Sequence, residues 1–311
     1  MLKHFSAALL GCSLFFTIFA RADAPSPEKA PPGKPAVASD AGRPTEGVAK
    51  YDLKYKFTPG ETLRAEVVHQ VKVKTTVQGT SQTAESNSRS VKVWKILDVT
   101  EEGTVTFQHM VAHVDMWQRT TGRKEVRYNS DTDEEVPPGY EAVADAVGVP
   151  LSTVTMDARG KIIKRKEHRE QPMGVSTQMT IPLVDHAIAI DESWSSPLEI
   201  DVTRKDGTIK KIRTRQKFTL EKVSDEVATI KVDSQILTPV HDPAIEAQLI
   251  QRLSYGTVRF DIAAGRVISQ QLDLDRRVIG FSGPTSSMHY VTRFTEKLLP
   301  PTEQTARRTE E

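Results

Sequence analysis

From Tyr51 onward the chain alternates. Tyr51, Leu53, Tyr55 and Phe57 fall on one side of an extended backbone, with Asp52, Lys54 and Lys56 on the other. That two-residue period predicts a strand with one dry face and one wet face. After the turn signal Thr58-Pro59-Gly60 it resumes as Leu63, Ala65, Val67, His69, Val71, Val73 and Val77, interleaved with Arg64, Glu66, Gln70, Lys72, Lys74 and Gln78. Further strands are expected over 91–99, 104–117 and 126–129. A hairpin follows, with arms at 151–156 and 161–166 around Asp157-Ala158-Arg159-Gly160. Helical spacing is confined to two short pieces. Tyr140, Val143, Ala144 and Val147 recur at helical intervals before Gly148, and Asp242-Pro243 reads as N-cap and first helical residue ahead of Ile245, Leu249 and Leu253.

The second half repeats the grammar of the first. The stretch 95–105 (Lys95-Ile96-Leu97-Asp98-Val99) resembles 219–230 (Thr219-Leu220-Glu221-Lys222-Val223), and the hairpin at 153–162 resembles the one at 257–267. Strand, acidic turn, strand, helix and hairpin keep the same order, so duplication is expected, with a seam near 185–193. The fold class is all-β with minor short helices, a duplicated antiparallel meander forming a large bent sheet or open barrel. The short helices would cover its concave side or mouth. Two β-sandwich lobes are the alternative.

Three short motifs carry a resemblance: Pro59-Gly60-Glu61 after the first strand, Asp157-Ala158-Arg159-Gly160-Lys161-Ile162 in the hairpin, and Asp191-Glu192-Ser193-Trp194. With a leader and a Pro-rich tether, they resemble an uncharacterised family of exported bacterial proteins, a domain of unknown function common in planctomycetes. That family tends to show Gly-Asp-x-Trp at the last place, where Ile190 replaces the Gly here. The resemblance covers most of 51–298. It implies export and a paired β-meander, and no catalytic residues.

The N-terminus reads as a signal peptide over residues 1–22. Lys3 and His4 precede an apolar run of about 15 residues, shorter than the roughly 20 a spanning helix needs, and Ala20-Arg21-Ala22 supplies the cleavage site. Lipoprotein processing at Leu9-Leu10-Gly11-Cys12 is the rival reading, but Leu14, Phe15, Phe16, Ile18 and Phe19 carry the hydrophobic stretch past the cysteine. Residues 23–50 hold Pro25, Pro27, Pro31, Pro32, Pro35 and Pro44 and read as a disordered linker. The β-rich domain then spans 51–299 as repeats 51–187 and 188–299, and 300–311 is a polar tail.

Composition narrows the partners. The 311 residues carry 42 Lys and Arg against 41 Asp and Glu, too even a balance for a nucleic-acid footprint. Loss of the leader removes Lys3, Arg21 and Cys12, the one cysteine. The mature chain is then thiol-free, which suits a periplasmic or extracellular compartment and has no integral membrane span.

The sequence carries no nucleophile elbow, phosphate loop or zinc-binding His-Glu-x-x-His motif. His109 and His113 lie on an expected strand, where four residues span about 13 Å, too far for one metal. They are read as sharing a face with Val105, Phe107 and Val111. Asn129, Asp131, Asp133 and Glu135 lack the glycine and final acid of a calcium loop, so no metal site and no cofactor is expected. Lys211, Arg213, Arg215 and Lys217 alternate along one strand after Lys205-Asp206-Gly207-Thr208. With a two-residue turn, Val202 and Ile200 would oppose Lys211 and Arg213. This ladder, together with Trp194, is the candidate ligand contact. Trp94 and Trp117 read as core or rim anchors.

The function expected is an exported, non-catalytic β-rich protein binding an apolar or lipid-like ligand on a concave sheet. An envelope structural or protein-interaction module is the alternative. An unrecognised hydrolase using His69, His109 or His289 ranks third.

Overall fold

A computed structural model describes residues 49–169 and 180–301. The leader, nearly all of the linker and most of the polar tail therefore lie outside the described residues. The strands are β1 (Lys50–Tyr51), β2 (Thr62–Val77), β3 (Thr80–Val99), β4 (Val105–Thr120), β5 (Val126–Asn129), β6 (Pro150–Met156) and β7 (Ile162–Glu167). They continue as β8 (Ile188–Ala189), β9 (Ser193–Thr203), β10 (Ile209–Ser224), β11 (Val227–Ile236), β12 (Tyr255–Asp261), β13 (Arg266–Ile279) and β14 (Ser287–Leu298). Two short helices, α1 (Glu141–Ala144) and α2 (Pro243–Leu249), interrupt them.

One antiparallel sheet holds twelve of these strands, in the order β7-β6-β4-β3-β2-β14-β13-β12-β11-β10-β9, with β5 added beside β4. It is an open, bent sheet, not a closed barrel. Leaving aside the short β5 between β4 and α1, the order of three strands, a helix and two strands occurs twice, as β2-β3-β4-α1-β6-β7 and β9-β10-β11-α2-β12-β13. β14 joins the two runs by pairing with both β13 and β2. Register shifts in β3–β4, β4–β6, β6–β7, β10–β11 and β12–β13 supply the bulges that bend a sheet of this width.

The bend brings the two runs together at one end of the strands. There a core of Trp94, Ile96, Phe107, Val154 and Met156 meets Phe218, Leu220, Ile230, Val258 and Phe260. Residues 51–57 are the wedge between them. Only Tyr51 of this segment is in a strand, paired with Ile188 of β8. The expected alternation still holds, because Leu53 and Tyr55 are buried while Asp52, Lys54 and Lys56 are exposed. The wedge is fixed by consecutive amides: Tyr55 N–H donates to Ala158 O (2.8 Å) and Lys56 N–H to Gly265 O (2.9 Å). Ala158 and Gly265 sit in the corresponding hairpins of the two runs, so one strap ties both.

At the other end of the strands the helices cover the sheet. Asp242 caps α2 by accepting from Ala244 N–H at 2.9 Å, with Pro243 in the first turn. Ile245 and Leu249 of α2 pack on Ile200, Val202 and Ile212, whereas Ala247 and Ile250 pack with Val73, Leu274, Val278 and Tyr290. The α1 region sits in a separate cluster with Val111, Val114, Tyr128 and Leu151.

Three sequence expectations are corrected. β3 starts at Thr80 rather than 91, because its polar first half is held on both sides by the backbone ladders of β2 and β4. His109 and His113 do not share a face: the register shift between Val91 and Lys92 inverts the alternation. His109 is buried, while His113 is half-exposed and lies 2.8 Å from Asp131. The turn after β9 is longer than two residues, closed by Arg204 N–H to Thr208 O (2.8 Å). Asp201 and Glu199, not Val202 and Ile200, therefore oppose Lys211 and Arg213.

Candidate functional site

The two faces of the bent sheet differ in chemistry. The convex face is a lattice of exposed charges, including Arg89 with Glu66, Lys72 and Arg119 with Glu85, and Arg293 with Asp273. Pairs this wet each contribute little to stability.

The expected basic ladder belongs to this lattice. Lys211, Arg213 and Arg215 are exposed, and Lys217 is half-exposed. Lys211 pairs with Glu199 at 3.4 Å, and Arg215 Nε donates to Gln235 Oε1 at 2.7 Å. Trp194 lies on the opposite face. It stacks on Phe218 (5.4 Å between centroids) and donates from Nε1 to Pro182 O at 2.7 Å. The ladder and Trp194 are not brought together.

The concave face is mixed. Across β13, β14, β2 and β3 the register places Leu272, Phe294, His69 and Ser88 in one row. Gln270, Glu296, Val67 and Ser90 form the next. All eight side chains are half-buried, lying between the packed core at one end and the helices at the other. His69 Nε2 donates to Thr292 Oγ1 (3.0 Å), whose hydroxyl donates in turn to Gln70 O (3.0 Å). Phe294 meets His69 edge-on at 6.1 Å. Burial holds the His69 imidazole below its usual range.

Where this face meets the strap there is a cavity of about 40 Å³, lined by Tyr55, Phe57, Trp94, Lys92, Gln270 and Glu296 among others. Lys92 and Glu296 form an ion pair with side chains 15% and 12% exposed. Lys92 Nζ also lies 4.9 Å from the Trp94 ring centroid, a cation–π contact. Gln270 Nε2 donates to Glu296 Oε2 at 2.8 Å. The sequence reading missed this constellation. Lys92 and Glu296 lie 204 residues apart, and only the β14–β2–β3 register makes them neighbours.

Among the described residues no group of three or more His, Cys, Asp or Glu is placed to hold a metal ion. The Asp133 carboxylate is spent on its own loop, where Asn129 N–H donates to Asp133 Oδ2 (2.7 Å), and the Asp131 carboxylate lies 2.8 Å from His113 Nδ1. No described helix is long and apolar enough to cross a membrane.

No protein-family model matches the chain, and no curated protein does. Among solved structures it is similar to lipovitellin, from a study of lipid–protein interactions in that protein. The identity is 12% and the TM-score 0.42, over 80% of this chain and 26% of that one. It is also similar to DynF from the dynemicin biosynthesis pathway of Micromonospora chersina, at 8% identity and TM-score 0.22 over 85% and 95%. The chain thus spans about a quarter of the length of the lipovitellin chain. The structure is that of a β-rich protein built on one large bent antiparallel sheet.

Proposed function

We propose that this protein is an exported, non-catalytic β-rich carrier that holds an amphipathic, lipid-like small molecule on its concave face. The observation that carries the reading is the inward apolar side chains of two neighbouring rows, Phe294 and Leu272 in one and Val67 in the next, left half-buried between the strap core and α2. Apolar surface on the inside of a bend is stabilised when something removes it from water. The hydroxyls of Ser88, Ser90 and Thr292 on the same face suit a ligand that is apolar along one side and polar along the other.

Assembly through the sheet edges, the alternative of an envelope structural module, is less well supported. Edge strand β7 carries Lys164 and Lys166 and a register shift next to Ile163. Edge strand β9 carries Pro197. The Gln248 side chain grips the backbone of Thr203 at the end of β9, accepting from its N–H (2.9 Å) and donating to its carbonyl (2.8 Å). Lysines, bulges and a proline are the devices that blunt strand edges against pairing with another chain.

Export rests on the leader at residues 1–22 and on the thiol-free mature chain. The test is to isolate the protein from its native envelope fraction, sequence its N-terminus and extract it with organic solvent. A chain beginning at Asp23 with a stoichiometric amphiphile supports the reading. A chain that retains residues 1–22 in the cytoplasm and yields no extractable ligand contradicts it.

A further inference from the structure

The hydrogen bonds around His69 fix which of its ring nitrogens carries the proton. A threonine hydroxyl has one proton to give and lone pairs to accept with. Thr292 gives its proton to Gln70 O at 3.0 Å, so toward His69 Nε2, also 3.0 Å away, it accepts. Nε2 therefore bears the hydrogen. Burial holds the imidazole below its usual range, so the ring is uncharged at neutral pH. A neutral ring protonated at Nε2 leaves Nδ1 as a lone-pair acceptor.

That acceptor is open to the concave face. Nδ1 makes no hydrogen bond among the described residues, yet solvent reaches it, unlike the sealed Nδ1 of His109. Ser88 stands directly across the β2–β3 ladder from His69, with Ser86 opposite Val71 and Ser90 opposite Val67. The three serine hydroxyls are likewise half-buried, unbonded among the described residues and reached by solvent. Directly opposed residues carry their Cβ atoms about 4.5–5.5 Å apart, so one small polar group can touch both His69 and Ser88. The surroundings are apolar: Phe294 meets the His69 ring edge-on, Leu272 lies beyond it, and Val67 and Val71 flank His69 along β2.

Proton count and charge decide which group fits. A carboxylate has no proton to give to Nδ1. An ammonium has protons but finds no free acid, because Glu296 in the next row is already held by Lys92 and Gln270, and a charge without its partner is costly on a half-buried apolar face. An ether only accepts. A hydroxyl both gives a proton and accepts one, which is what an unprotonated ring nitrogen beside a serine requires.

We infer that His69 Nδ1 and the Ser88 hydroxyl recognise a hydroxyl group on the carried amphiphile, with Thr292 as the positioning residue that fixes the imidazole tautomer. The ligand hydroxyl donates to Nδ1 and accepts from Ser88, and its apolar chain lies along Val67, Phe294 and Leu272. This inference rests on the carrier reading and goes further by naming the polar group and its contacts.

The experiment titrates the full mature chain at neutral pH with decanol and with decyl methyl ether, which keeps the chain and the oxygen but has no proton to donate. Decanol is expected to bind about fivefold more tightly, the scale of one net hydrogen bond. The imidazole nitrogen NMR spectrum is expected to show His69 protonated at Nε2, with the Nδ1 resonance moving when decanol binds and not when the ether does. Thr292→Val removes the acceptor that fixes the tautomer. It is expected to move part of the proton onto Nδ1 and to cut the preference for decanol to about twofold or less. His69→Leu is expected to abolish that preference. Equal affinities for decanol and ether in the parent overturn the hydroxyl inference and leave the carrier reading standing. A parent spectrum with the proton on Nδ1, or a preference retained in His69→Leu, does the same. Failure of both ligands to bind overturns the carrier reading itself.

Discussion

Gly160 lies against Tyr55 so closely that a Cβ at that position would sit 2.7 Å from Tyr55 Cε2, and 2.7 Å from the carbonyl oxygen of Ile181. The φ of +81° at Gly160 adds a conformation that only glycine adopts without strain. Gly265 makes the equivalent approach in the second hairpin, its notional Cβ 2.6 Å from the Lys56 backbone nitrogen. The strap thus depends on a glycine in each hairpin. Gly160→Ala is expected to destabilise by about 2–4 kcal/mol, combining left-handed strain with overpacking. Gly207→Ala has the same sign of φ (+82°) and nothing within 4 Å. Its expected cost is the strain alone, about 1–2 kcal/mol. Urea unfolding of the two variants side by side checks the difference.

Arg159 is the clasp on the same hairpin. Its Nη1 donates to Asp52 Oδ1 (2.7 Å) and to Leu53 O, and its Nη2 to Asp185 O (3.2 Å). Arg159→Ala leaves those carbonyls without their donor, and a loss of about 2 kcal/mol is expected. Amide exchange at Tyr55 and Lys56 should accelerate more than exchange in β13 or β14. Uniform acceleration would show that Arg159 does not act through the strap.

Breaking the Lys92–Glu296 pair is expected to cost more than removing it. Lys92→Met alone strands a carboxylate in a site where both side chains are mostly buried, and a loss of about 2–4 kcal/mol is expected after discounting for residual solvent. Combining it with Glu296→Gln removes both charges, and the double variant is expected within about 1 kcal/mol of the parent. A denaturant-based double-mutant cycle reads the coupling directly.

His109 sets a pH dependence whose sign follows from its depressed pKa. The folded imidazole titrates near 3 against 6.5 for the free side chain. Below about pH 6.5 the unfolded chain therefore takes up a proton that the folded chain refuses, and stability falls with pH by up to about 1.4 kcal/mol per unit until the folded group protonates. Buried His69, held down by desolvation, acts in the same direction. Unfolding free energies at pH 7 and pH 5 should show a shallower slope for His109→Asn than for the parent. Equal slopes would remove His109 from the account.

Much of this architecture is legible in the sequence because strands with one dry face announce themselves by alternation. β2, the β6–β7 hairpin and the Asp242 cap of α2 were all readable locally. The first half of β3 was not. Residues 80–90 contain no apolar run, and their extended form comes from ladders on both sides rather than from side chains. The wedge at 51–57 alternates like a strand and buries like one, yet its amides bond to two hairpin tips instead of a neighbouring strand. Nothing in its own residues distinguishes these outcomes. The site was the least legible part. Sequence reasoning drew attention to the Lys211–Lys217 cations because they are adjacent in a strand, and those lie on the convex face. Lys92 meets Glu296, and His69 meets Thr292, only through the register of distant strands.

The most direct test of the central claim uses Val67 and Val68, adjacent in β2 and pointing to opposite faces of the sheet. Methyl NMR of the full mature chain titrated with decanol should shift Val67, Val71 and Leu272 on the concave face and leave Val68 and Val93 unmoved. Shifts confined to Val68, Val93 and their convex neighbours, or no shifts at all at saturating ligand, would contradict a concave-face carrier.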